Sequence, residues 1–208
     1  MKKLRKSEGC PTSEVFSTSE VLYIYYMQFE QGHAYHVYNR SINQELLYKS
    51  DENYRYFMDR FSYYLGNRTD VLAYCLMPTH FHLFIRATTE SNDIEKGFKN
   101  LFISYAKSMN KAYERTGSIF QAKYKKDRIV NDFHFTNVIA YIHLNPVKAL
   151  LCDAPDDWKY SSYNAILSND PTKVKRNEII DWFGSKGRFI DFHKSYRGND
   201  WIEQNLPE

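Results

Sequence analysis

The segment MPTHFHLFIRA carries two histidines, His80 and His82, on either side of one phenylalanine. Side chains two residues apart in a β-strand point to the same face of the sheet, so these two imidazoles converge while Phe81 points the other way. Two neutral imidazoles on one sheet face are a natural pair of metal ligands. Two histidines on a solvated face are the alternative, and a third ligand elsewhere in the chain would favour the metal site.

A second polar pattern lies in FHFTNVIAYIHLN, which we predict to be helical. Asn137, Tyr141 and Asn145 are spaced four residues apart and share one face of that helix. The apolar residues on its other side are expected to pack on the sheet: Val138, Ile139 and Ile142. A surface helix face is the simpler explanation of the stripe. Beside a histidine pair, however, a tyrosine and an amide one turn apart indicate a nucleophile and a third metal ligand.

These residue types suggest one coherent chemistry. Tyrosine can act as a covalent nucleophile, although its ordinary pKa near 10 leaves it mostly protonated at neutral pH. A divalent metal held by two imidazoles and an amide oxygen would polarise a phosphodiester and orient the leaving oxygen. Attack by Tyr141 would give a 5′-phosphotyrosine and a free 3′-hydroxyl. That linkage would keep the energy needed to rejoin the strand.

The elements that must position these residues alternate between strands and helices. We predict strands over residues 33–40, 70–77 and 80–87 and a short strand after Gly117, with Pro78 and Thr79 turning the second strand into the third. Helices are predicted over residues 51–65 and 93–115, and the Tyr141 helix is expected to start at Asn131 or Asp132 and to stop at Pro146. This order favours an α+β fold, an antiparallel sheet with helices packed on one face.

The chain divides into three predicted parts. Residues 1–28 read as a weakly ordered tail, residues 29–150 as the main domain, and residues 151–208 as a C-terminal extension packed on that domain. A length of 208 residues is enough for one substantial core. We find no stretch long enough to span a membrane.

Charge is unevenly distributed along the chain. The net charge is only +3, but residues 96–128 hold nine basic and two acidic side chains. Such a segment favours a polyanionic partner on one face, and a solvated helix face explains it equally well. The three cysteines are widely separated and form no CxxC pair, which fits a reducing cytosol.

Four segments, in chain order, resemble the single-tyrosine HUH transposases and above all the REP-associated tyrosine transposases: MPTHFHL, GSIFQAKYKKDRI, AYIHLNPVKA and WKYSSY. The resemblance covers about residues 33–167. It implies a ferredoxin-like fold, Mg²⁺ or Mn²⁺ at the histidine pair, and cleavage and joining of single-stranded DNA beside an imperfect hairpin. It also implies either a monomer or a homodimer.

By this resemblance His80 and His82 correspond to the metal-binding histidines, Tyr141 to the nucleophile and Asn145 to the third ligand. Thr79 stands where relatives usually have Asn or Glu. His143 is given no role and is expected at the surface.

The residues predicted to contact DNA end the first strand or precede the Tyr141 helix: Asn39, Arg40, Phe120, Gln121, Lys123, Lys125, Lys126 and Arg128. The cations would bind phosphates, and Phe120 and Gln121 would stack on or hydrogen-bond to a base. Phe120 fits a core position equally well.

The sequence therefore predicts a metal-dependent single-stranded DNA endonuclease and strand transferase, cytoplasmic and associated with the nucleoid. Two alternatives remain: a catalytically idle protein that binds DNA hairpins, and a metallonuclease that activates water instead of Tyr141.

Overall fold

The computed structural model describes residues 28–198, apart from the side chains of residues 132 and 133. The predicted N-terminal tail, except for Gln28, lies outside the described residues, as does the end of the C-terminal extension from residue 199 onwards.

Four strands and six helices make up the described part. The strands are β1 (Ala34–Arg40), β2 (Thr69–Met77), β3 (His80–Ala87) and β4 (Lys125–Ile129). The helices are α1 (Asp51–Leu65), α2 (Ser91–Ala112), α3 (Asp132–Lys148), α4 (Tyr163–Leu167), α5 (Arg176–Phe183) and α6 (Lys186–Ser195).

The strands form one antiparallel sheet in the order β2-β3-β1-β4. With α1 between β1 and β2 and α2 between β3 and β4, this is the ferredoxin-like topology. Pro78 and Thr79 form the two-residue turn between β2 and β3, at the predicted position. The predicted α+β class and antiparallel sheet are confirmed.

Helices cover both faces of the sheet, whereas the prediction placed them on one. Phe57 of α1 and Phe102 of α2 pack on Phe81, with ring centroids 5.2 and 5.9 Å away. Phe84, which points to the opposite face, packs on Phe135 of α3 at 5.6 Å. The difference arises because residues beyond 150 cover the outer side of α3, so that this helix is buried between two layers.

The helix α3 continues through Pro146 to Lys148, and the predicted stop at this proline is wrong. Proline is costly in a helix interior because it lacks an N–H group and crowds the preceding turn. Here Pro146 lies in the last turn, where few hydrogen bonds depend on it. The Asn145 side chain adds one by donating from Nδ2 to the Tyr141 carbonyl at 2.9 Å.

The C-terminal segment packs along the outer edge of β2. The Trp158 indole donates to the Leu76 carbonyl at 3.1 Å, and the Tyr74 amide donates to the Ser162 hydroxyl at 2.9 Å. The domain boundary at residue 150 stays a prediction. None of the described helices combines the length and apolar character needed to cross a membrane.

Candidate metal and nucleophile site

The histidine pair lies on the face of β3 that α3 covers. The His80 and His82 rings are 5.1 Å apart and nearly perpendicular. His82 is buried with 1% exposure, while His80 is half-buried. The antiparallel register places Arg40 beside His80 and Tyr38 beside His82 on the same face. The predicted convergence of the two imidazoles is therefore present in the structure.

Helix α3 brings Tyr141 over this face. Its ring centroid lies 5.6 Å from that of His82, and the two rings meet edge to face. Tyr141 itself is only 1% exposed. Tyr141, from the polar stripe of α3, thus faces the sheet together with Phe135 of the same helix, which packs on Phe84.

The opposite side of α3 packs on the C-terminal helices through His143, which the prediction expected at the surface. His143 is fully buried, and its Nδ1 lies 3.0 Å from Nε2 of His193 on α6. Its Nε2 lies 2.7 Å from the Ser162 hydroxyl. His143 is therefore part of the packing between layers, because α6 supplies a partner that no local pattern reveals.

A third histidine, His36 on β1, joins the site and was missed by the sequence reasoning. Its Nε2 lies 2.9 Å from Nδ1 of His82, and both side chains are buried. The Tyr141 ring lies 6.1 Å from that of His36. The alternation in HAYHVYNR could have placed His36 on one face with Tyr38 and Arg40, but not opposite His82.

Burial keeps all three histidines neutral. Desolvation lowers the pKa of His36 to about 3 and that of His80 to about 4, where the Arg40 charge adds to the effect. The pKa of His82 is lowered well below its ordinary value, chiefly by burial. Neutral imidazole is the form that binds metal ions.

The donor set fits a divalent metal ion. The Nε2 atom of His82 is buried and has no hydrogen-bond partner among the described residues, which is unusual for a polar atom unless it serves a ligand. Asn145 uses its amide nitrogen within α3, which leaves its oxygen for another partner. Across residues 28–198 no three His, Cys, Asp or Glu side chains are arranged to hold a metal ion.

Of the residues predicted to contact DNA, two lie on the face of the histidine pair. Arg40 lies close enough to His80 and His82 to lower their pKa values. Lys125 extends over the Tyr38 ring, with Nζ 5.8 Å from the centroid. Gln121 and Lys123 are exposed next to them and line a cleft of about 150 Å³ together with Arg40 and Lys125.

The structure places Lys126, Arg128 and Phe120 elsewhere, and it buries Asn39 in the wall of that cleft. Lys126 and Arg128 point to the opposite face, where they pair with Glu95 and Glu30. Phe120 is 3% exposed and packs on Phe81 and Phe102, so it occupies the core position that the sequence left open. The Asn39 amide donates to the Gln121 carbonyl at 3.3 Å and is buried.

Two further groups around the site, Lys148 beside Tyr141 and Asp127 on β4, were not singled out from the sequence. Lys148 has its Nζ 5.5 Å from the centre of the Tyr141 ring, seven residues along the same helix face. Asp127, next to Lys126 on β4, shares the face of Tyr38, and burial raises the pKa of its carboxyl to about 6. Helical spacing was the available signal for Lys148.

No protein-family model matches the chain, and no curated protein matches it either. Among solved structures, the chain is similar to a REP-associated tyrosine transposase bound to a REP hairpin, with a TM-score of 0.58 and 16% identity over 68% of this chain and 82% of the other. The chain has the fold of that transposase. The likeness covers most of both chains, so the shared fold includes the sheet.

Two other solved structures are similar over parts of their folds. A proposed transposase from Deinococcus radiodurans R1 gives a TM-score of 0.38 at 19% identity, over 49% of this chain and 82% of that one. A bacterial tRNA(His) guanylyltransferase (Thg1)-like protein in complex with ATP gives 0.39 at 10% identity, over 83% and 78%. Neither similarity is strong enough to support an argument.

Proposed function

We propose that the protein is a metal-dependent endonuclease and strand transferase that nicks and rejoins single-stranded DNA beside a hairpin through Tyr141. The observation that carries this proposal is the Tyr141 ring lying against His82, whose buried Nε2 has no hydrogen-bond partner among the described residues. A nucleophile and an available metal ligand are thus next to each other. The transposase with the same fold was solved with a REP hairpin, which supports a DNA hairpin as the substrate.

In this mechanism His80, His82 and Asn145 would hold Mg²⁺ or Mn²⁺, which supplies charge stabilisation at the reacting phosphodiester. The Tyr141 oxygen attacks phosphorus and forms an O–P bond, the bond between phosphorus and the 3′ oxygen breaks, and the proton that Tyr141 releases balances the one that the 3′ oxygen takes up as it leaves as a hydroxyl. The Lys148 ammonium, 5.5 Å from the centre of the Tyr141 ring, would attract the phosphate that Tyr141 attacks. Attack on the phosphotyrosine by a 3′-hydroxyl reverses these steps and joins the strand.

The DNA would approach through the cleft between Arg40 and Lys125, where two cations flank the histidine pair. This cleft shares Gln121 with a larger groove of about 780 Å³ between α2 and residues 117–124. Lysines line the groove (Lys96, Lys99 and Lys107), and Phe102 and Tyr124 lie among them. Cations with aromatic side chains suit phosphates and unpaired bases.

The proposed mechanism uses one copy of the chain, in which Tyr141 faces His82. Its DNA substrate would be met in the cytoplasm, with the nucleoid.

The test is an incubation of the protein with Mn²⁺ and an end-labelled hairpin oligonucleotide that carries single-stranded flanks, followed by a denaturing gel. We expect a covalent protein–DNA adduct that is lost in Tyr141→Phe. The matched control is Tyr38→Phe, which removes a phenol from the same face and should leave the adduct.

Three results would contradict the proposal. An adduct that persists in Tyr141→Phe and disappears in Tyr38→Phe would move the nucleophile to β1. Cleavage without any adduct would favour a nuclease that activates water. Binding without cleavage would favour an idle protein that only recognises hairpins.

A further inference from the structure

The hydrogen bond between His36 and His82 is not used by the chemistry above. The two rings are parallel within 4°, with centroids 5.1 Å apart, and Nε2 of His36 lies 2.9 Å from Nδ1 of His82. His36 lies diagonally across from His82 on the neighbouring strand, since His36 is opposite Phe84 in the register. Neither side chain is accessible to bulk solvent.

The contact permits two arrangements of the protons. A neutral imidazole carries one N–H group, so the shared hydrogen bond holds the proton of either His36 or His82. If His36 donates, Nε2 of His82 carries a proton and cannot bind a metal. If His82 donates from Nδ1, its Nε2 presents a lone pair towards the Tyr141 face.

The two ring nitrogens outside the shared hydrogen bond indicate that the pair does more than fill space in the core. Both Nδ1 of His36 and Nε2 of His82 are buried without a hydrogen-bond partner in the described part of the chain. A pair kept for packing alone is expected to satisfy all its nitrogens, because buried polar groups without partners are destabilising. The arrangement in which His82 donates is the one that leaves Nε2 of His82 a lone pair for a ligand.

We propose that His36 is a positioning residue: it accepts the Nδ1–H of His82 and so fixes His82 in the tautomer and orientation whose Nε2 binds the metal ion. This inference rests on the proposed metal-dependent function. It adds a residue from β1 to a site that the sequence assigned to β3 and α3 alone. Partners that orient metal-binding histidines in this way typically change metal affinity 10- to 100-fold when removed.

The first test measures Mn²⁺ affinity from the electron paramagnetic resonance signal of free Mn²⁺ over the purified full-length protein. We expect His36→Phe to weaken binding by about 10- to 100-fold. His36→Gln should restore most of the affinity, because its side-chain oxygen can accept the same hydrogen bond. A role in packing alone would predict the reverse order, since Phe fills the buried position better than Gln.

The second test needs no metal. The ring nitrogens of His82 in ¹⁵N-labelled wild-type protein should give NMR shifts of a protonated Nδ1 and an unprotonated Nε2. In His36→Phe, or in His36→Gln if the first variant fails to fold, we follow the same signals. We expect the Phe variant to lose the single tautomer and the Gln variant to keep it.

The outcomes separate this inference from the proposed function. A wild-type protein that binds no Mn²⁺ contradicts the proposed function, while the NMR result still decides whether His36 orients His82. Wild-type affinity in His36→Phe overturns the inference alone. A loss in His36→Phe as complete as in His82→Phe, with no rescue by Gln, would make His36 a ligand and would also overturn it.

Discussion

Two buried histidine pairs lie on opposite sides of α3, and they differ in what surrounds them. The open pair, His36 and His82, leaves both outer nitrogens without partners among the described residues. The closed pair, His143 and His193, is fully bonded: Ser162 meets one end at 2.7 Å, and His193 donates from Nδ1 to the Phe189 carbonyl at 2.7 Å. The distance between the two bonded ring nitrogens is nearly the same in the two pairs, 2.9 Å in the open pair and 3.0 Å in the closed pair.

The bonds of the closed pair run in one direction. The Tyr74 amide donates to the Ser162 hydroxyl, which donates to His143, which donates to His193 and so to the Phe189 carbonyl. This assignment follows from the final carbonyl, which can only accept. The chain links β2, α3 and α6 and leaves no nitrogen free. A buried histidine pair therefore becomes a candidate for ligand chemistry through its unsatisfied atoms and not through burial.

The largest expected difference between the pairs is in stability. His143→Leu breaks two bonds of the closed pair and leaves His193 and Ser162 without their partner, so we expect the free energy of unfolding to fall by about 3 kcal/mol. His36→Leu removes one bond together with an unsatisfied nitrogen, and we expect a loss of about 1 kcal/mol. Urea denaturation at pH 7.5 measures both.

If His143→Leu and His36→Leu lower the free energy of unfolding by the same amount, the two pairs do not differ in their contribution to stability. Adduct formation per folded molecule provides the matching functional control. His82→Leu should abolish it, whereas His143→Leu should retain it once the unfolded fraction is subtracted.

The two pairs are expected to agree in their response to pH. Burial lowers the pKa of His193 to about 4 and that of His143 well below its ordinary value. Below about pH 6.5 the unfolded chain gains protons that the folded chain does not bind, so stability falls by up to about 1.4 kcal/mol per pH unit for each histidine. The contribution of His193 levels off below its folded pKa.

The variant His193→Gln can accept from His143 and donate to Phe189 without titrating. Its stability, measured by urea denaturation from pH 7.5 to pH 4, should fall less steeply than that of the wild type. An unchanged slope would mean that His193 is not held neutral.

The smallest expected effect concerns DNA binding on the face of the open pair. Lys125 lies on that face, whereas Lys126 lies on the other and pairs with Glu95. We expect Lys125→Ala to lower the slope of log affinity against log salt by about 0.7, the value for one phosphate contact on a single strand. Hairpin binding followed by fluorescence anisotropy at several KCl concentrations measures the slope, and Lys126→Ala is the matched control. The assignment of faces fails if Lys126→Ala has the larger effect.

Local patterns predicted most of the fold and half of the site. Strand alternation placed His80 and His82 on one face, and helical spacing placed Asn145 one turn after Tyr141. The same alternation, applied to β4, would have placed Lys125 and Lys126 on opposite faces of the sheet. The partners of His36 and His143 could not be predicted, because they depend on the register of β1 with β3 and on the docking of α6.

The wrong stop at Pro146 has a different cause. The residue before a proline only tends to avoid the helical conformation. In this helix Asn145 adopts it all the same, because Pro146 lies in the last turn, where little hydrogen bonding is lost. For Phe120 the local pattern allowed either a core position or a DNA contact. Only the packing of Phe81 and Phe102 against its ring shows that it lies in the core.

The anchoring of α3 to α6 has a consequence for the order of folding. The β2–β3 hairpin is local in sequence and can form early with His80 and His82 already in place. The bond from His143 to His193 joins residues 50 apart, and such distant contacts form late because loop closure costs entropy before they are made. A nascent chain thus carries the proposed metal-binding histidines well before it holds Tyr141, the proposed nucleophile, in a fixed position, and the complete site is a late product of folding.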